Sequence, residues 1–268
     1  MKIINLLHIP KTGGSCRYNS MKWIKVMNGD DELVCLPTNT GDLVVRCHHS
    51  RLMNPVSEND YFVLFLRSPV KKFISGFISR LREGRPLYDT PHSEAEKVTF
   101  SLYQDPESLA LDLYHNNSQI REIARRSLDA IIHLKMSFKS YFISFQNLNT
   151  YSDRILYVGR TEELTHDFAQ LQAQIGLDSV ELTSDPVLAH VTPVEYKAIE
   201  QISDQARRNI MKFYFEDYAM IAKLMYLNYI PKNYLLSEFE ELIHMPEFIE
   251  LCNREQIPLN IFNIDGSS

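Results

Sequence analysis

The apolar run YFVLFL, at residues 61–66, most constrains what this chain can fold into. A run this short and uniformly apolar is typical of a strand buried on both faces of a parallel sheet, and we expect it to be central in that sheet. A helix is predicted directly after it, because Ser68 can cap a helix, Pro69 suits the first turn, and apolar residues recur at helical spacing as far as Leu81. A strand followed by a helix predicts an α/β fold.

The segment LHIPKTGGSC, at residues 7–16, is a second place where a hydrophobic run gives way to a loop. The chain has only 9 glycines, and Gly13 and Gly14 are adjacent here. Glycine tolerates positive φ and close backbone approach, and the amides that open a helix favour an anion. With Lys11 as a mobile cation, the segment predicts a phosphate-binding loop; the alternative is an ordinary Gly-Gly turn. It is not a Walker A loop, because the lysine precedes the glycines.

Other segments extend the alternation of strands and helices. We predict strands at residues 3–8, 33–35, 43–47 and 154–158, and helices at residues 15–27, 118–142, 162–175, 204–227 and 238–252. Residues 84–118 are polar, irregular in pattern and contain three prolines, which predicts a lid-like insertion over the sheet edge or the active-site cleft. The expected organisation is one α/β domain over residues 1–230 and a helical C-terminal extension over residues 231–268.

Composition limits the classes of partner. The chain has 268 residues, of which 44% are hydrophobic and 23% charged, and its formal net charge is -6. These values are typical of a soluble globular protein and argue against a nucleic-acid-binding surface, so any phosphate site has to be positive locally. The four cysteines form no CxxC pair, which indicates reduced thiols and a cytoplasmic location. No apolar run approaches the roughly 20 residues of a membrane helix, and we expect no membrane span.

A second candidate anion site follows the strand at residues 61–66. Arg67 lies at its carboxyl end, where open α/β sheets bind ligands, and Ser75 lies about two turns into the next helix. A fixed guanidinium can pair with phosphate, and a helix hydroxyl can donate one more hydrogen bond to it. The alternative is structural: Arg67 holds a loop in place, and Ser75 is a tolerated residue on the helix flank.

Five segments carry a family resemblance. HIPKTGGS at residues 8–15 and FVLFLRSPVKKFISGF at residues 62–77 resemble the two nucleotide motifs of the sulfotransferases that use 3'-phosphoadenosine 5'-phosphosulfate (PAPS). The first is closest to the His-Ile-Pro-Lys branch, which includes carbohydrate sulfotransferases and bacterial relatives. Three further segments are similar to later family segments: HLKMSFKSYF at residues 133–142, YVGRTEELTHDFAQL at residues 157–171 and FYFEDYAMI at residues 213–221. Five segments in the family's order are a more specific signal than any one motif.

The resemblance implies a P-loop-NTPase-like three-layer fold with a central, mainly parallel sheet. It also implies PAPS as sulfate donor and adenosine 3',5'-bisphosphate (PAP) as product. The residues implied at the 5'-phosphosulfate are Lys11, Thr12, Gly13, Gly14, Ser15 and Cys16. Arg67 and Ser75 would hold the 3'-phosphate, and Arg160 and Thr161 would lie on the adenine side. This division fits the physics, because amides at a helix start surround a compact oxyanion, whereas the second phosphate needs its own cation.

Sulfuryl transfer needs in-line geometry and charge stabilisation on the leaving oxygen, and the resemblance gives Lys11 the second role. The acceptor hydroxyl needs a base, and a neutral imidazole suits the task. The family's histidine corresponds to His48 if Cys47 replaces a glycine, with His49 as the alternate. Without the resemblance, either histidine is a polar residue that closes a strand. Adjacent strand residues point to opposite faces, so we expect no metal at Cys47, His48 and His49.

The implied function is transfer of the sulfuryl group of PAPS to a hydroxyl of a carbohydrate or small metabolite. Ser68 stands where the family commonly has Asp, and Cys16 where it commonly has a hydroxyl residue, but neither change removes a proposed cofactor ligand. Two other classes stay open: a module that binds PAP or PAPS without catalysis, and a nucleotide kinase of the same general fold, whose magnesium-site motif is missing. The sequence does not fix the acceptor or the oligomeric state.

Overall fold

The structure, a computed structural model, describes residues 3–7, 9–13, 25–28, 31–38, 41–48, 60–177 and 181–262. In the three strands between residues 25 and 48 it describes the backbone alone. The chain divides into two compact units. The first unit comprises Met1–Arg67 and Ser140–Val191, and the second unit comprises Ser68–Lys139 and Thr192–Ser268.

The first unit is built on a six-stranded sheet. Its strands are β1 (Ile3–Leu7), β2 (Lys25–Asn28), β3 (Asp31–Thr38), β4 (Gly41–His48), β5 (Asp60–Leu66) and β6 (Ile155–Arg160). They lie side by side in the order β2-β3-β4-β1-β5-β6. β1 is parallel to β4 and β5, and β5 is parallel to β6. β3 is antiparallel to both β2 and β4, so among the described strands it alone points the other way.

The α/β class predicted from the sequence is confirmed by this sheet and the helices around it. The apolar run that predicted a buried strand is β5, and its side chains from Phe62 to Leu66 are no more than 2% exposed. β5 is an interior strand, but it lies between β1 and the edge strand β6 rather than at the centre of the sheet. The predicted central position is therefore wrong, because three strands lie on the far side of β1.

The helix Leu164–Ile175 packs its apolar side against the sheet. The shared core cluster consists of Ile4, Val63, Phe65, Phe168 and Leu171. Phe65 also explains a glycine in the neighbouring strand, since Gly159 of β6 is its register partner. A Cβ atom on Gly159 would lie 2.2 Å from Cε1 of Phe65, so the ring fits because position 159 has no side chain.

The second unit is helical. Its helices are Pro69–Leu81, Glu94–Leu102, Pro106–Asp112, Ser118–Ala130, Asp204–Phe213, Phe215–Tyr226, Leu236–Leu242 and Pro246–Arg254. The helix Phe138–Phe142 contains the boundary between the units, and Phe145–Tyr151 belongs to the first unit. Within the described ranges, every helix is too short or too polar to cross a membrane.

The helix Pro69–Leu81 begins as the sequence predicts. The hydroxyl of Ser68 accepts a hydrogen bond from the N–H of Lys71 at 3.3 Å, and Pro69 occupies the first turn. The same hydroxyl donates to Oε1 of Glu238 at 2.8 Å, and the phenol of Tyr218 also donates to this carboxylate. Burial, and then the nearby Glu238 charge, raise the pKa of Tyr218 well above its ordinary value. A carboxylate is thus held at the positive end of this helix.

The predicted helix at residues 204–227 is two helices, Asp204–Phe213 and Phe215–Tyr226. The N–H groups of Asp217 and Tyr218 both bond to the carbonyl oxygen of Tyr214, which starts a new first turn. Sequence periodicity missed this break, because both helices are rich in large apolar residues and no glycine or proline separates them.

Three other predicted helices also have different bounds. Residues 118–142 contain the separate helices Ser118–Ala130 and Phe138–Phe142. Residues 238–252 are divided before Pro246, because Met245 is extended, as the residue before a proline usually is. The helix predicted at residues 15–27 is wrong at its end, where β2 begins at Lys25; its residues 15–24 lie outside the described residues.

The segment at residues 84–118 is not irregular throughout, since it contains Glu94–Leu102 and Pro106–Asp112. The first of these helices begins with a capping box, in which Ser93 and Glu96 each bond to the other's backbone N–H. Glu96 also forms a buried ion pair with Arg80, with Nε and Oε1 2.7 Å apart. This pair fastens the segment to the helix Pro69–Leu81.

Two of the segments that carry the family resemblance meet at Asp217. Its carboxylate accepts hydrogen bonds from the N–H of Phe138 at 2.8 Å and of Lys139 at 3.0 Å. The nearby Lys72 donates through Nζ to the carbonyl oxygen of Met136 at 2.9 Å. Burial lowers the pKa of Lys72 to about 8 against the attraction of Asp217, and burial raises the pKa of Asp217 against the attraction of Lys72. The pair is fully enclosed, so each charge depends on the other.

We expect Asp217→Asn to lower the free energy of unfolding by about 3 kcal/mol, because it leaves Lys72 buried without its counter-charge. The matched control is Glu216→Gln, which removes the preceding carboxylate and its 2.6 Å ion pair with Lys139. The Glu216 side chain is 41% exposed, so this loss is expected to stay below about 1 kcal/mol. Urea denaturation at pH 7 measures both variants, and equal losses would contradict the anchoring role of Asp217.

Candidate functional site

The carboxyl ends of four parallel strands lie along one edge of the sheet in the first unit. Leu7 at the end of β1 is in register with His48 at the end of β4. Leu66 at the end of β5 is in register with Arg160 at the end of β6. The predicted site residues that end or follow these strands are Lys11, Thr12, Gly13, His48, Arg67, Arg160 and Thr161. The topology brings them to the same edge although they are far apart in the sequence.

The direction in which the chain moves across the sheet reverses between β1 and β5. After β1 the chain continues to β2 on one side, and after β5 it continues to β6 on the other side. In open α/β sheets, ligands bind outside the carboxyl ends of the strands at such a reversal. Residues 9–13 follow β1 and Arg67 follows β5, so both lie where this rule locates a ligand.

Hydrogen bonds within and next to the loop at residues 9–13 hold its shape. The hydroxyl of Thr12 donates a hydrogen bond to the carbonyl oxygen of Ile9 at 2.8 Å, and Thr12 is fully buried. The N–H of Ile9 donates to the carbonyl oxygen of Leu7 at 3.0 Å. Lys11 has φ of 68°, in the left-handed region that side chains other than glycine rarely adopt. Thr12 thus holds the turn closed, while Lys11 adopts an unusual backbone conformation beside it.

Gly13 is required by its conformation and by its surroundings. Its φ is 77°, and a Cβ atom added there would lie 2.8 Å from Cδ2 of Leu164. Gly14, Ser15 and Cys16 lie outside the described residues, so their predicted contacts with the cofactor remain predictions. For Gly13, the positive φ and the packing together account for the glycine, and a ligand is not needed to explain it.

Arg67 holds the loop at residues 9–13 to the end of β5. Its Nη1 donates a hydrogen bond to the carbonyl oxygen of Lys11 at 3.2 Å. This contact matches the loop-holding role left open by the sequence. A guanidinium has five N–H donors in a fixed fork, and this bond uses one of them. Its positive charge lies next to the strained residue of the loop.

The end of β6 is fixed by two contacts. The Arg160 guanidinium forms a bidentate pair with Asp167, with Nε–Oδ2 at 2.9 Å and Nη2–Oδ1 at 2.8 Å. The hydroxyl of Thr161 donates to the carbonyl oxygen of Leu66 at 2.8 Å, which ties the ends of β5 and β6 together. Both residues predicted on the adenine side are thus engaged with the protein itself.

The charge on Asp167 is stabilised in the folded state. Burial alone would raise the pKa of Asp167, but hydrogen bonds from Arg160 and His166 outweigh it and hold the pKa below its ordinary value. The same pair raises the pKa of Arg160, chiefly through the side-chain hydrogen bond to Asp167. The positive charge of Arg160 is therefore largely balanced before any ligand binds.

Ser75 belongs to the helix Pro69–Leu81 of the second unit. It is half-buried, and its hydroxyl forms no hydrogen bond with the part of the chain that the structure describes. A serine inside a helix often bonds back to a carbonyl of the preceding turn, and Ser75 does not. Its predicted share in binding the 3'-phosphate remains a prediction.

The predicted catalytic base is known from its backbone position alone. His48 is the last residue of β4, and its neighbour across the sheet is Leu7, the last residue of β1. His49 lies outside the described residues. No three His, Cys, Asp or Glu residues in the described ranges are arranged to hold a metal ion. The assignment of His48 as the base, with His49 as the alternate, remains a prediction.

Sequence reasoning missed Asp167 and Leu164, which support the loop and the end of β6. Arg160 and Asp167 are seven residues apart and are brought together by a single helical turn at residues 161–163. Spacing alone does not distinguish Asp167 from Glu162 or Glu163 as the partner of Arg160. The contact of Leu164 with Gly13 joins residues far apart in the chain, so nothing in the sequence points to it.

No protein-family model matches the chain, and a comparison with curated proteins finds no match. The resemblance to the PAPS-dependent sulfotransferases therefore depends on the five sequence segments themselves.

We expect Gly13→Ala to lower the free energy of unfolding by about 1–2 kcal/mol, because alanine is strained at this φ and its Cβ collides with Leu164. The double variant Gly13→Ala/Leu164→Ala removes the collision but not the backbone strain. Subtracting the cost of Leu164→Ala alone should therefore leave a smaller penalty for the glycine change. Urea denaturation measures all three variants, and an unaltered midpoint for Gly13→Ala would show that the loop does not require glycine.

We expect Asp167→Asn to flatten the acid dependence of stability. Since the pKa of Asp167 is lowered by folding, its contribution is present above the unfolded value, about 4, and is lost as the pH falls through the folded-state value. The native protein should therefore lose more stability than the variant between about pH 6 and pH 3. Thermal denaturation across that range measures the difference, and parallel curves for the two proteins would contradict it.

Proposed function

We propose that the chain is a PAPS-dependent sulfotransferase, which transfers the sulfuryl group of PAPS to an acceptor hydroxyl by in-line displacement. The observation that carries the proposal is the contact between Arg67 and the carbonyl oxygen of Lys11, 3.2 Å long, where the strand order reverses. It joins the two segments that resemble the family's nucleotide motifs, and it does so at the position where open α/β sheets bind ligands.

The proposed chemistry assigns the loop after β1 to the 5'-phosphosulfate. Lys11 stabilises the charge that develops on the leaving phosphate oxygen as the bond to sulfur breaks. The side chain of Lys11 is half-buried, and the left-handed backbone at Lys11 and Gly13 turns successive amides in the way that anion-binding nests require. Arg67 supplies the dedicated cation for the 3'-phosphate, which distinguishes PAPS from ATP.

His48 is proposed as the base that removes the proton of the acceptor hydroxyl, with His49 as the alternate. The register supports this choice, because the end of β4 lies beside the end of β1, from which the Lys11 loop departs. A neutral imidazole has a pKa near the working pH, which favours proton transfer in both directions. The acceptor class is a hydroxyl on a carbohydrate or small molecule.

The finer fold assignment is part of the same proposal. A P-loop-NTPase-like three-layer fold is supported by four adjacent parallel strands and by a helix packed on the sheet. The antiparallel pairing of β3 with β2 and β4 extends the sheet on the side away from β6. A cytoplasmic location stays a prediction from the cysteine content and from the lack of an apolar run of membrane-spanning length.

A second candidate is a module that binds PAP or PAPS without transferring sulfate. This candidate is favoured because two side chains predicted to bind the cofactor already bond to other groups of the protein. The Thr12 hydroxyl is bonded to Ile9, and the Arg160 guanidinium is paired with Asp167. Such a protein would keep the nucleotide site while lacking a productive acceptor position. Both candidates predict PAP binding, and only the first predicts turnover.

Calorimetric titration with PAP in the absence of metal tests the shared part of the proposal. We expect micromolar binding that Arg67→Ala weakens by at least about tenfold, since a charge-assisted bond to phosphate is lost. The control is Arg126→Ala, which removes an exposed arginine of the helix Ser118–Ala130 paired with Glu122. Absence of PAP binding, or tighter binding of ATP that requires magnesium, would overturn the assignment of Arg67 to a 3'-phosphate.

Product formation from PAPS across a panel of hydroxyl acceptors separates the two candidates. The enzyme proposal expects turnover that Lys11→Ala reduces by at least about a hundredfold while PAP binding changes less, because the charge acts mainly in the transition state. Full turnover in Lys11→Ala would show that the mechanism is wrong. PAP binding without product on any acceptor would favour the non-catalytic module.

A further inference from the structure

A cleft of about 360 Å³ opens among the helices of the second unit. Its walls come from the helices Asp204–Phe213 and Leu236–Leu242, together with Tyr114 and Met245. This volume is at the low end of the range of small-molecule sites, about 300–1,000 Å³, so the cleft suits a small ligand.

The buried polar groups in the floor of the cleft already form hydrogen bonds within the protein, so the surface that the floor offers to a ligand is apolar. Asn209 is 6% exposed, and its amide donates to the carbonyl oxygen of Ala110 at 3.0 Å and accepts from Gln205 at 2.9 Å. Met211 is 2% exposed and lines the cleft beside Met245. Thioethers pack well against aromatic rings, so this surface favours a flat apolar body.

The rim of the cleft has more positive than negative charge. Glu241 is neutralised by an ion pair with Arg207. Lys212 lies 3.7 Å from Glu247 and places its Nζ 5.2 Å from the centre of the Tyr114 ring. Arg208 forms no ion pair within the residues that the structure describes; its Nη2 donates to Oε1 of Gln205 at 3.3 Å.

A second cation adds to this surplus. Arg125 and Glu247 both act electrostatically on Tyr114, with opposite signs, and Arg125 forms no ion pair with a carboxylate in the described part of the chain. The phenol of Tyr114 forms no hydrogen bond with the described residues, and its ring lines the cleft. Arg208 and Arg125, which have no carboxylate partner among the described residues, add positive charge to that of Lys212, whose contact with Glu247 is long at 3.7 Å. Positive charge beside a hydroxyl donor and an apolar floor favours a ligand with one anionic group and an apolar body.

We propose that this cleft binds a small aromatic carboxylate, with the ring against Met211 and Met245 and the carboxylate at Arg208 and Lys212. A planar carboxylate suits the fork of an arginine, and the two thioethers suit the ring. The residues of this cleft all belong to the second unit, and none of them is a proposed PAPS ligand, so its test does not depend on PAPS binding.

Calorimetry with 2-naphthoate on the full chain tests the site, with 2-naphthamide as the neutral ligand of the same shape. We expect naphthoate to bind at least about tenfold more tightly than the amide, because its charge adds bonds that the amide lacks. The double variant Arg208→Gln/Lys212→Gln should weaken the binding of naphthoate by at least about tenfold and leave the affinity for the amide unchanged. Arg254→Gln is the control, since this exposed arginine pairs with Glu255 outside the cleft.

Met245→Glu supplies a second readout, because a carboxylate placed in the floor repels the ligand and occupies the space of its ring. Naphthoate binding should then be lost while the melting temperature stays within a few degrees of the native value. The proposal is overturned if naphthoate fails to bind at millimolar concentration, if the amide binds as tightly, or if the Arg208/Lys212 double variant binds as the native chain does.

Discussion

The position of β1 between β4 and β5, parallel to both, is the constraint on which the candidate site depends. A strand bonded on both sides has no free edge, so its end is held in a fixed position relative to both neighbours. That position puts the Lys11 loop next to the end of β4 on one side and next to Arg67 on the other. A one-residue change of register would exchange the two faces of β1, so that Ile4, which is 3% exposed, would move to the face of the buried residues Asn5 and Leu7.

The polar groups along the carboxyl edge hold the protein together as well as offering charge to a ligand. Arg67, Thr161 and Thr12 each bond to a backbone carbonyl, and two of these bonds join loops from different strands. Because these bonds already fix the side chains, little conformational entropy is lost when a ligand binds to them. A preorganised edge of this kind is what electrostatic stabilisation of a transferred group requires.

Carboxylates organise the helical second unit. Glu96 caps its own helix while it pairs with buried Arg80, and Asp217 caps the turn at Phe138 while it faces buried Lys72. Each carboxylate therefore accepts a hydrogen bond from a backbone N–H group and also balances the charge of a buried cation: Glu96 pairs directly with Arg80, and Asp217 acts on Lys72 electrostatically. Removing either would leave backbone N–H groups without an acceptor and a buried charge without its balance, so we expect both positions to tolerate substitution poorly.

The sequence by itself determined the α/β class, the buried strand β5 and the capped helix after it, because these depend on local periodicity and on caps a few residues away. Tertiary structure alone decided that β5 is not central, that Tyr214 separates two helices, that Leu164 packs against position 13, and that Arg160 is matched by Asp167. These features arise from contacts between residues that fold from different segments, and neither spacing nor composition encodes which partner a buried charge or a closely packed glycine will meet.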